Sequence, residues 1–316
     1  MNRHLNARGL KVAQHLDDHR DDYRVAVSHL TSQARIIDAG IDTPGGLQAG
    51  LQLARLCMAD LGQVSLHASS IAGCPLVQVT TDHPVMACLA SQYAGWQVKV
   101  GSYFAMGSGP MRAAYAREEL FKEIDYLELV HAAVGVLETK TPPSDDVALD
   151  IASKCNISPE HLTLVVAPTT SVAGSLQVVA RSVETALHKL HTLGFPLDLI
   201  QYGFGTAPLP PIAKRTQQAI GLTNDAVLYG GDVTLWVKSD DDLLDSLGPK
   251  VPSSASSDYG APFAEIFQRA GGDFYQIDPL LFSPARITFH NLTTGKVHCF
   301  GKLNEKILDR SFQSCA

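Results

Sequence analysis

Charge is missing from two long stretches of this chain. Between Leu61 and Met111 the only Asp, Glu, Lys or Arg residues are Asp82 and Lys99, and the segment His161–Ala180 has none at all. Stretches this long without charge are not ordinary solvated surface; they form inner strands of a core, or they line something. The first has the length of a membrane span. It also carries Gly62, Gln63, Ser65, His67, Ser69, Ser70, Gly73, Pro75 and Gln78, which a lipid-facing helix could not hold cheaply, so no membrane association is expected. The whole chain shares this character, with 45% apolar and 18% charged residues, which excludes a disordered or coiled-coil chain. At 316 residues it exceeds the size, ~250–300 residues, at which single cores stop growing, and two domains are expected. A formal charge of -7 offers no basic field to neutralise the phosphates of a duplex, so no nucleic-acid partner is expected.

Element patterns alternate. A helical apolar pattern runs through Leu5, Leu10, Val12 and Leu16, a short strand follows at Ala34–Asp38, and Leu47–Leu61 has helical spacing closed near Gly62. Val64–Leu66, Leu76–Thr80, Trp96–Val100 and Leu162–Ala167 read as strands, with a helix from about Pro84 to Tyr93. Such alternation indicates an α/β (α+β) protein. Thr141-Pro142-Pro143-Ser144-Asp145-Asp146 is the best linker candidate, which places an N-terminal α/β domain at 1–143 and a C-terminal one at 144–316. The N-terminus has no apolar core followed by a small-residue cleavage site, so the chain is expected to be cytoplasmic. Cysteines 57, 74, 88, 155, 299 and 315 form no Cys-x-x-Cys pair and read as reduced, mostly buried thiols. The histidines form no His-Glu-x-x-His set, and no metal is expected.

The clearest helix of the chain spans Ser171–Leu193, with Thr170 or Ser171 as its cap and Gly194 after its last turn. At ~100° per residue, Gln177, Arg181, Glu184 and His188 fall in a sector of ~60°, opposite Val172, Leu176, Val179, Val183, Leu187 and Leu190. One reading is an ordinary surface helix with an Arg–Glu pair worth ~0.2–0.5 kcal/mol. The other is a cleft-facing stripe, because its polar residues start in an uncharged, small-residue stretch where a solvated face would carry Lys and Glu. An arginine one turn from a carboxylate fixes its rotamer and leaves an oxygen free to orient a water.

Three further segments are candidates for ligand contact. Gly107-Ser108-Gly109-Pro110-Met111-Arg112 is a glycine turn leading into a helix; it reads either as a plain helix start or as an anion pocket made by the backbone N–H groups of Ser108 and Gly109 together with Arg112. Pro168-Thr169-Thr170-Ser171 joins a strand to the polar-striped helix, at the carboxyl end of the strand where α/β sheets bind ligands. Asn224-Asp225 sets an amide and a carboxylate in series that can read the edge of a heterocycle, although Asn-Asp is also a common turn.

Taken in order, Gly45-Gly46-Leu47-Gln48-Ala49-Gly50, Asp82-His83-Pro84, Ala90-Ser91-Gln92-Tyr93-Ala94-Gly95-Trp96, Phe104 to Pro110, Ala167-Pro168-Thr169, Gln177 to His188, Thr223-Asn224-Asp225 and Tyr259-Gly260-Ala261-Pro262-Phe263 resemble the methenyltetrahydromethanopterin cyclohydrolase family over nearly the whole chain. The resemblance implies two α/β domains with a pocket between them, association as a homotrimer, and reversible hydrolysis of N5,N10-methenyltetrahydromethanopterin to the N5-formyl form in one-carbon metabolism. It maps the family's catalytic arginine and glutamate onto Arg181 and Glu184. It leaves Gln177, Ser108, Gly109, Arg112, Thr169 and Thr170 as substrate contacts and Asn224 and Asp225 for the pterin edge. The pterin one-carbon carrier is then the substrate, and no cofactor is implied. The modest charged fraction resembles a mesophilic bacterial member working in formaldehyde oxidation rather than a hyperthermophile relative. A folate carrying the same methenyl bridge is the alternative substrate, and a non-catalytic pterin-binding module is the alternative of another class.

Overall fold

The structure, a computed structural model, describes residues 4–273 and 276–313. In chain order its elements are α1 (Leu5–Asp18), α2 (Arg20–Tyr23), β1 (Ala26–His29), β2 (Arg35–Asp38), α3 (Leu47–Cys57), β3 (Gly62–His67), β4 (Leu76–Thr81), the π-helical segment Val85–Gln92, β5 (Trp96–Val100), β6 (Tyr103–Ser108), α4 (Met111–Tyr115), α5 (Glu119–Glu123), β7 (Ala133–Glu138), α6 (Asp145–Lys154), β8 (Leu162–Ala167), α7 (Val172–Val179), α8 (Ser182–Thr192), β9 (Ile200–Pro208), α9 (Thr216–Gly230), β10 (Asp232–Val237), α10 (Asp241–Leu247), α11 (Phe263–Arg269), β11 (Arg286–Asn291), β12 (Val297–Gly301) and α12 (Glu305–Gln313). They form two compact α/β units. Unit 1 comprises Met1–Gly62 and Met86–Gln177, and unit 2 comprises Gln63–Val85 and Val178–Ala316. The stretch 141–146, read from the sequence as an inter-domain linker, lies inside unit 1 and joins β7 to α6. The physical reason is strand pairing: β8 returns to sit between β7 and β2, so the prolines punctuate a crossover.

The sheet of unit 1 has the order β1-β2-β8-β7-β6-β5, with β2, β8 and β7 mutually parallel. All six residues of β8 are buried, as the continuous apolar run Leu162–Ala167 requires of a central parallel strand. Side chains alternate between two cores. Ala133 and Leu137 of β7 with Leu162, Leu164 and Val166 of β8 pack on Val147, Ala148 and Ile151 of α6. Val134, Val136, Val165 and Ala167 pack on the other face against Val12 and Leu16 of α1 and Leu53 and Leu56 of α3. Asn6 ties the start of α1 down: its Nδ2 donates to the buried Glu128 carboxylate (2.9 Å) and to the Pro110 carbonyl (2.9 Å), while its Oδ1 accepts from Val134 N–H.

The sheet of unit 2 has the order β12-β11-β10-β9-β4-β3, with β10 and β11 parallel and the pairs β12/β11, β10/β9 and β9/β4 antiparallel. Here the segment Thr223–Gly230, whose Asn224-Asp225 pair could also be read as a turn, is helical and forms the second half of α9. Asp225 lies within it and is buried. Its carboxylate accepts from Phe263 N–H (2.8 Å), the first residue of α11, and from the Ser311 hydroxyl (2.6 Å) of α12, so one side chain ties three helices. Burial pushes the Asp225 carboxyl up to about 7 against the pull of those two hydrogen bonds. Among the described residues Cys57, Cys88 and Cys155 are buried thiols, Cys74 is partly buried and Cys299 exposed; Cys315 lies outside them. No helix among the described residues is long and apolar enough to cross a membrane.

The raised carboxyl has a consequence for stability. A folded-state value above the unfolded one contributes stability that is fully present below about pH 4 and is lost as pH rises through about 7. Asp225→Asn keeps the shape and removes the titration. The stability of the variant relative to the parent, read from urea midpoints, is therefore expected to rise between pH 4 and pH 8; a difference that stays constant over that range refutes the assignment.

Candidate active site

The helix expected over 171–193 is two helices. Ser171 caps the first: its Oγ accepts from Gly174 N–H (3.0 Å) and donates to the Pro168 carbonyl (2.8 Å). The second ends in a Schellman motif, with Gly194 N–H on the His191 carbonyl, Phe195 N–H on the Leu190 carbonyl, and Gly194 at φ 77°. Both sequence-level end signals are therefore used. The break falls at Ala180–Arg181, where Arg181 N–H bonds the Val178 carbonyl three residues back and Arg181 adopts φ -95°, ψ 11°. That is the sparsely populated bridge region of backbone space, in which many active-site residues sit.

No glycine or proline marks the break, and each half packs closely on a different partner. In unit 1, α7 lies so close to α3 that a Cβ added at Gly50 would sit 3.0 Å from both Ala173 Cα and Leu176 Cβ. In unit 2, α8 lies on β9, where a Cβ at Gly205 would sit 2.6 Å from Ser182 Oγ and 2.8 Å from Val183 Cγ2. The break corrects the sector argument as well. Gln177 belongs to α7, whereas Arg181, Glu184 and His188 belong to the second segment, so a count of ~100° per residue does not carry from one to the other.

The break changes what Glu184 is. It stands in the first turn of α8 rather than in the middle of a long helix, where unsatisfied backbone N–H groups favour a negative charge by ~0.3–1 kcal/mol. Arg181 is 8% and Glu184 4% exposed, so the stripe is not a solvated surface. An arginine and a carboxylate buried three residues apart, at a helix start, form a polar site inside an apolar neighbourhood: Val183, Ala186, Leu187 and Leu190 of the same helix are all fully buried.

In unit 1 the structure brings several of the other sequence-predicted residues to one face of the sheet. Ser108 ends β6 and Gln177 ends the unit on α7, and both approach the buried Cys57 thiol of α3, each at 3.7 Å. Thr169 is buried in the loop after β8, its carbonyl accepting from Ser175 Oγ (2.7 Å), and its hydroxyl donates to Oε1 of Glu138. Thr170 is the half-buried residue beside it. Sequence reasoning did not single out Glu138. The available signal was the uncharged run Ala132-Ala133-Val134-Gly135-Val136-Leu137, a buried strand that ends on a carboxylate.

Two expected contacts are corrected. Arg112 is fully buried, with Nε and Nη2 forked onto Glu118 (2.8 and 2.6 Å) and Nη1 on the Leu89 and Ser91 carbonyls at the end of the π-helical segment. Its guanidinium lies over the Tyr93 and Phe121 rings at 5.1 and 5.2 Å from their centroids. Gly109 N–H bonds the Ser91 carbonyl (2.8 Å). Gly109 N–H and the Arg112 guanidinium, two of the donors of the anion pocket expected at residues 107–112, are thus spent on the Glu118 carboxylate and on carbonyls of the chain. Asp225 is likewise committed to α11 and α12, and Asn224 Nδ2 bonds the Ile220 carbonyl (2.8 Å) one turn back on its own helix.

Arg112→Gln is therefore expected to act on stability. Removing the fork takes both donors from the Glu118 carboxylate and the arginine donor from the Leu89 carbonyl, while the Ser91 carbonyl keeps only Gly109 N–H; the loss read from denaturant midpoints should be about 3 kcal/mol. A loss under about 1 kcal/mol contradicts the structural role.

Comparison with known proteins supplies the remaining context. The family model described as Cyclohydrolase (MCH) matches residues 4–312. The chain is 50% identical over 287 residues to the methenyltetrahydromethanopterin cyclohydrolase of Rhodopirellula baltica, covering 88% of this chain and 86% of that one. It is 46% identical over 303 residues to that of Methylobacillus flagellatus, covering 95% and 93%. It is 42% identical over 313 residues to that of Methanosarcina barkeri, covering 98% of each. With a family match over all but the ends of the chain and near-full-length relatives at these identities, the chain belongs to the cyclohydrolase (MCH) family.

Proposed function

We propose that the protein reversibly hydrolyses N5,N10-methenyltetrahydromethanopterin to N5-formyltetrahydromethanopterin, with Glu184 as the acid–base group and Arg181 as its orienting partner. The observation that carries the residue assignment is the burial of this Arg–Glu pair at the break between α7 and α8, in a chain whose relatives are named for the reaction. The chemistry suits these residue types. The methenyl carbon bridges two nitrogens in a delocalised cation and is already electrophilic, so the reading calls for no cofactor, metal or covalent nucleophile. Water adds its oxygen to that carbon while Glu184 accepts a proton. The carbon–N10 bond then breaks as the added hydroxyl becomes the formyl C=O and releases its own proton to solvent; the bond's electron pair stays on N10, and the proton held by Glu184 is delivered there. The balance is methenyl cation plus water giving the formyl compound and one proton.

Arg181, in its bridge-region backbone, keeps the guanidinium one turn from the carboxylate and so fixes which oxygen faces the water. Ser108, Gln177, Thr169 and Thr170 remain in the reading as substrate contacts, supported for Ser108 and Gln177 by their approach to Cys57 and for Thr169 by its bond to Glu138 at the strand ends. The family resemblance further supports a homotrimer acting in the cytoplasm on a soluble one-carbon carrier.

Glu184→Gln keeps volume and removes the base. Turnover, followed by the loss of near-ultraviolet absorbance of the methenyl substrate, is expected to fall ~10²–10⁴-fold with the unfolding midpoint little changed. Near parental turnover in the purified variant ends the assignment. The same assay run with the methenyl form of tetrahydrofolate separates the two substrate classes.

A further inference from the structure

We propose that Glu138 is a substrate-binding residue whose carboxylate holds the donor edge of the pterin ring. Glu138 is the last residue of β7, in register with Ala167 at the end of β8, at the carboxyl edge of the parallel strands where ligands of open α/β sheets bind. Following the alternation of Val134 and Val136, its side chain emerges on the α3 face of the sheet, the face that Ser108 shares. Thr169 donates its hydroxyl to Oε1, and Thr169 is itself held by Ser175, so the carboxylate has a fixed rotamer. Its other oxygen, Oε2, takes no hydrogen bond among the described residues, and the carboxylate has no ion-pair partner among them.

Glu138 is half-buried and Oε2 is not among the buried atoms without a partner, so this oxygen is open to a ligand. The neighbouring carboxylate at the same sheet edge contrasts with it. Asp38 at the end of β2 accepts from the N–H groups of Gly40, Ile41, Asp42 and Thr43 and is fully used in shaping its loop. What fits Glu138 is a pair of parallel N–H donors. A pterin presents such a pair in its ring N3–H and exocyclic 2-amino group, and each carboxylate oxygen has two acceptor sites, so Oε1 can keep Thr169 and still take one donor. Asp225, the carboxylate the sequence pointed to for this edge, is committed to Phe263 and Ser311, which leaves Glu138 as the group with the right chemistry.

This inference rests on the pterin reading above, and the experiment separates the two. Steady-state hydrolysis of methenyltetrahydromethanopterin is measured for the full chain, Glu138→Gln and Thr169→Val. In Glu138→Gln the amide turns a donor toward a donor. KM is expected to rise about 10- to 100-fold with kcat within about threefold, the range for losing charge-assisted hydrogen bonds made equally in ground and transition states. Thr169→Val, which frees the rotamer and keeps the charge, should raise KM by a smaller factor of about three to ten. Unchanged KM in Glu138→Gln, or a fall in kcat with KM held, overturns the proposal. If Glu138→Gln does not fold, Glu138→Asp, which keeps the charge and withdraws it by one methylene, decides it by the same KM test. Failure of the unmodified chain to hydrolyse the substrate would instead overturn the pterin reading itself.

Discussion

The parallel pairing of β8 with β2 on one side and β7 on the other organises unit 1. Six consecutive buried residues satisfy their backbone groups only as a central strand, and the register Asp38↔Val166 and Glu138↔Ala167 brings the three strand ends to one level. Everything distinctive on that edge follows. Asp38 folds its loop by accepting four backbone N–H groups, Ser171 caps α7, and Thr169 meets Glu138. A shift of one residue in this register would turn Glu138 into the α6 core and Leu137 toward α3.

The second organising feature is the interruption at Ala180–Arg181. A continuous helix would place Arg181 and Glu184 in mid-helix, with their backbone groups satisfied and no polarity other than their own. The break instead gives Glu184 the first turn of a new helix and Arg181 a bridge-region backbone. Nothing local requires it. Glycines on other elements, Gly50 against α7 and Gly203 and Gly205 against α8, admit close packing of each half.

Buried polar residues fall into two groups that composition does not tell apart. Asn6, Arg112 and Asp225 are staples, each with its hydrogen-bonding capacity directed at helix ends and loops. Lys189 behaves likewise: burial lowers it to about 8, and its ammonium donates to the Leu280 carbonyl. Glu138 differs in having an unused oxygen at a strand end. Arg112 and Asp225 look functional in the sequence because each is a charged residue beside glycines or an amide in an apolar setting. The structural reason for a charge in such a setting is as often the satisfaction of backbone as the binding of a ligand.

By itself the sequence determined the α/β class, the strands β2, β4, β5 and β8 and the two outer ends of the 171–193 helical region, and it picked out Arg181 and Glu184 as candidates. These rest on local signals: apolar runs, a serine cap, a glycine after the last turn, and two charges directly after an uncharged stretch. Tertiary structure decided the division of the chain into two discontinuous units, the break inside the helix, the loss of Arg112 and Asp225 to stapling, and the presence of Glu138 beside Thr169. Each depends on which distant residue supplies a donor, a carbonyl or a bare glycine surface, and no spacing along the chain records that.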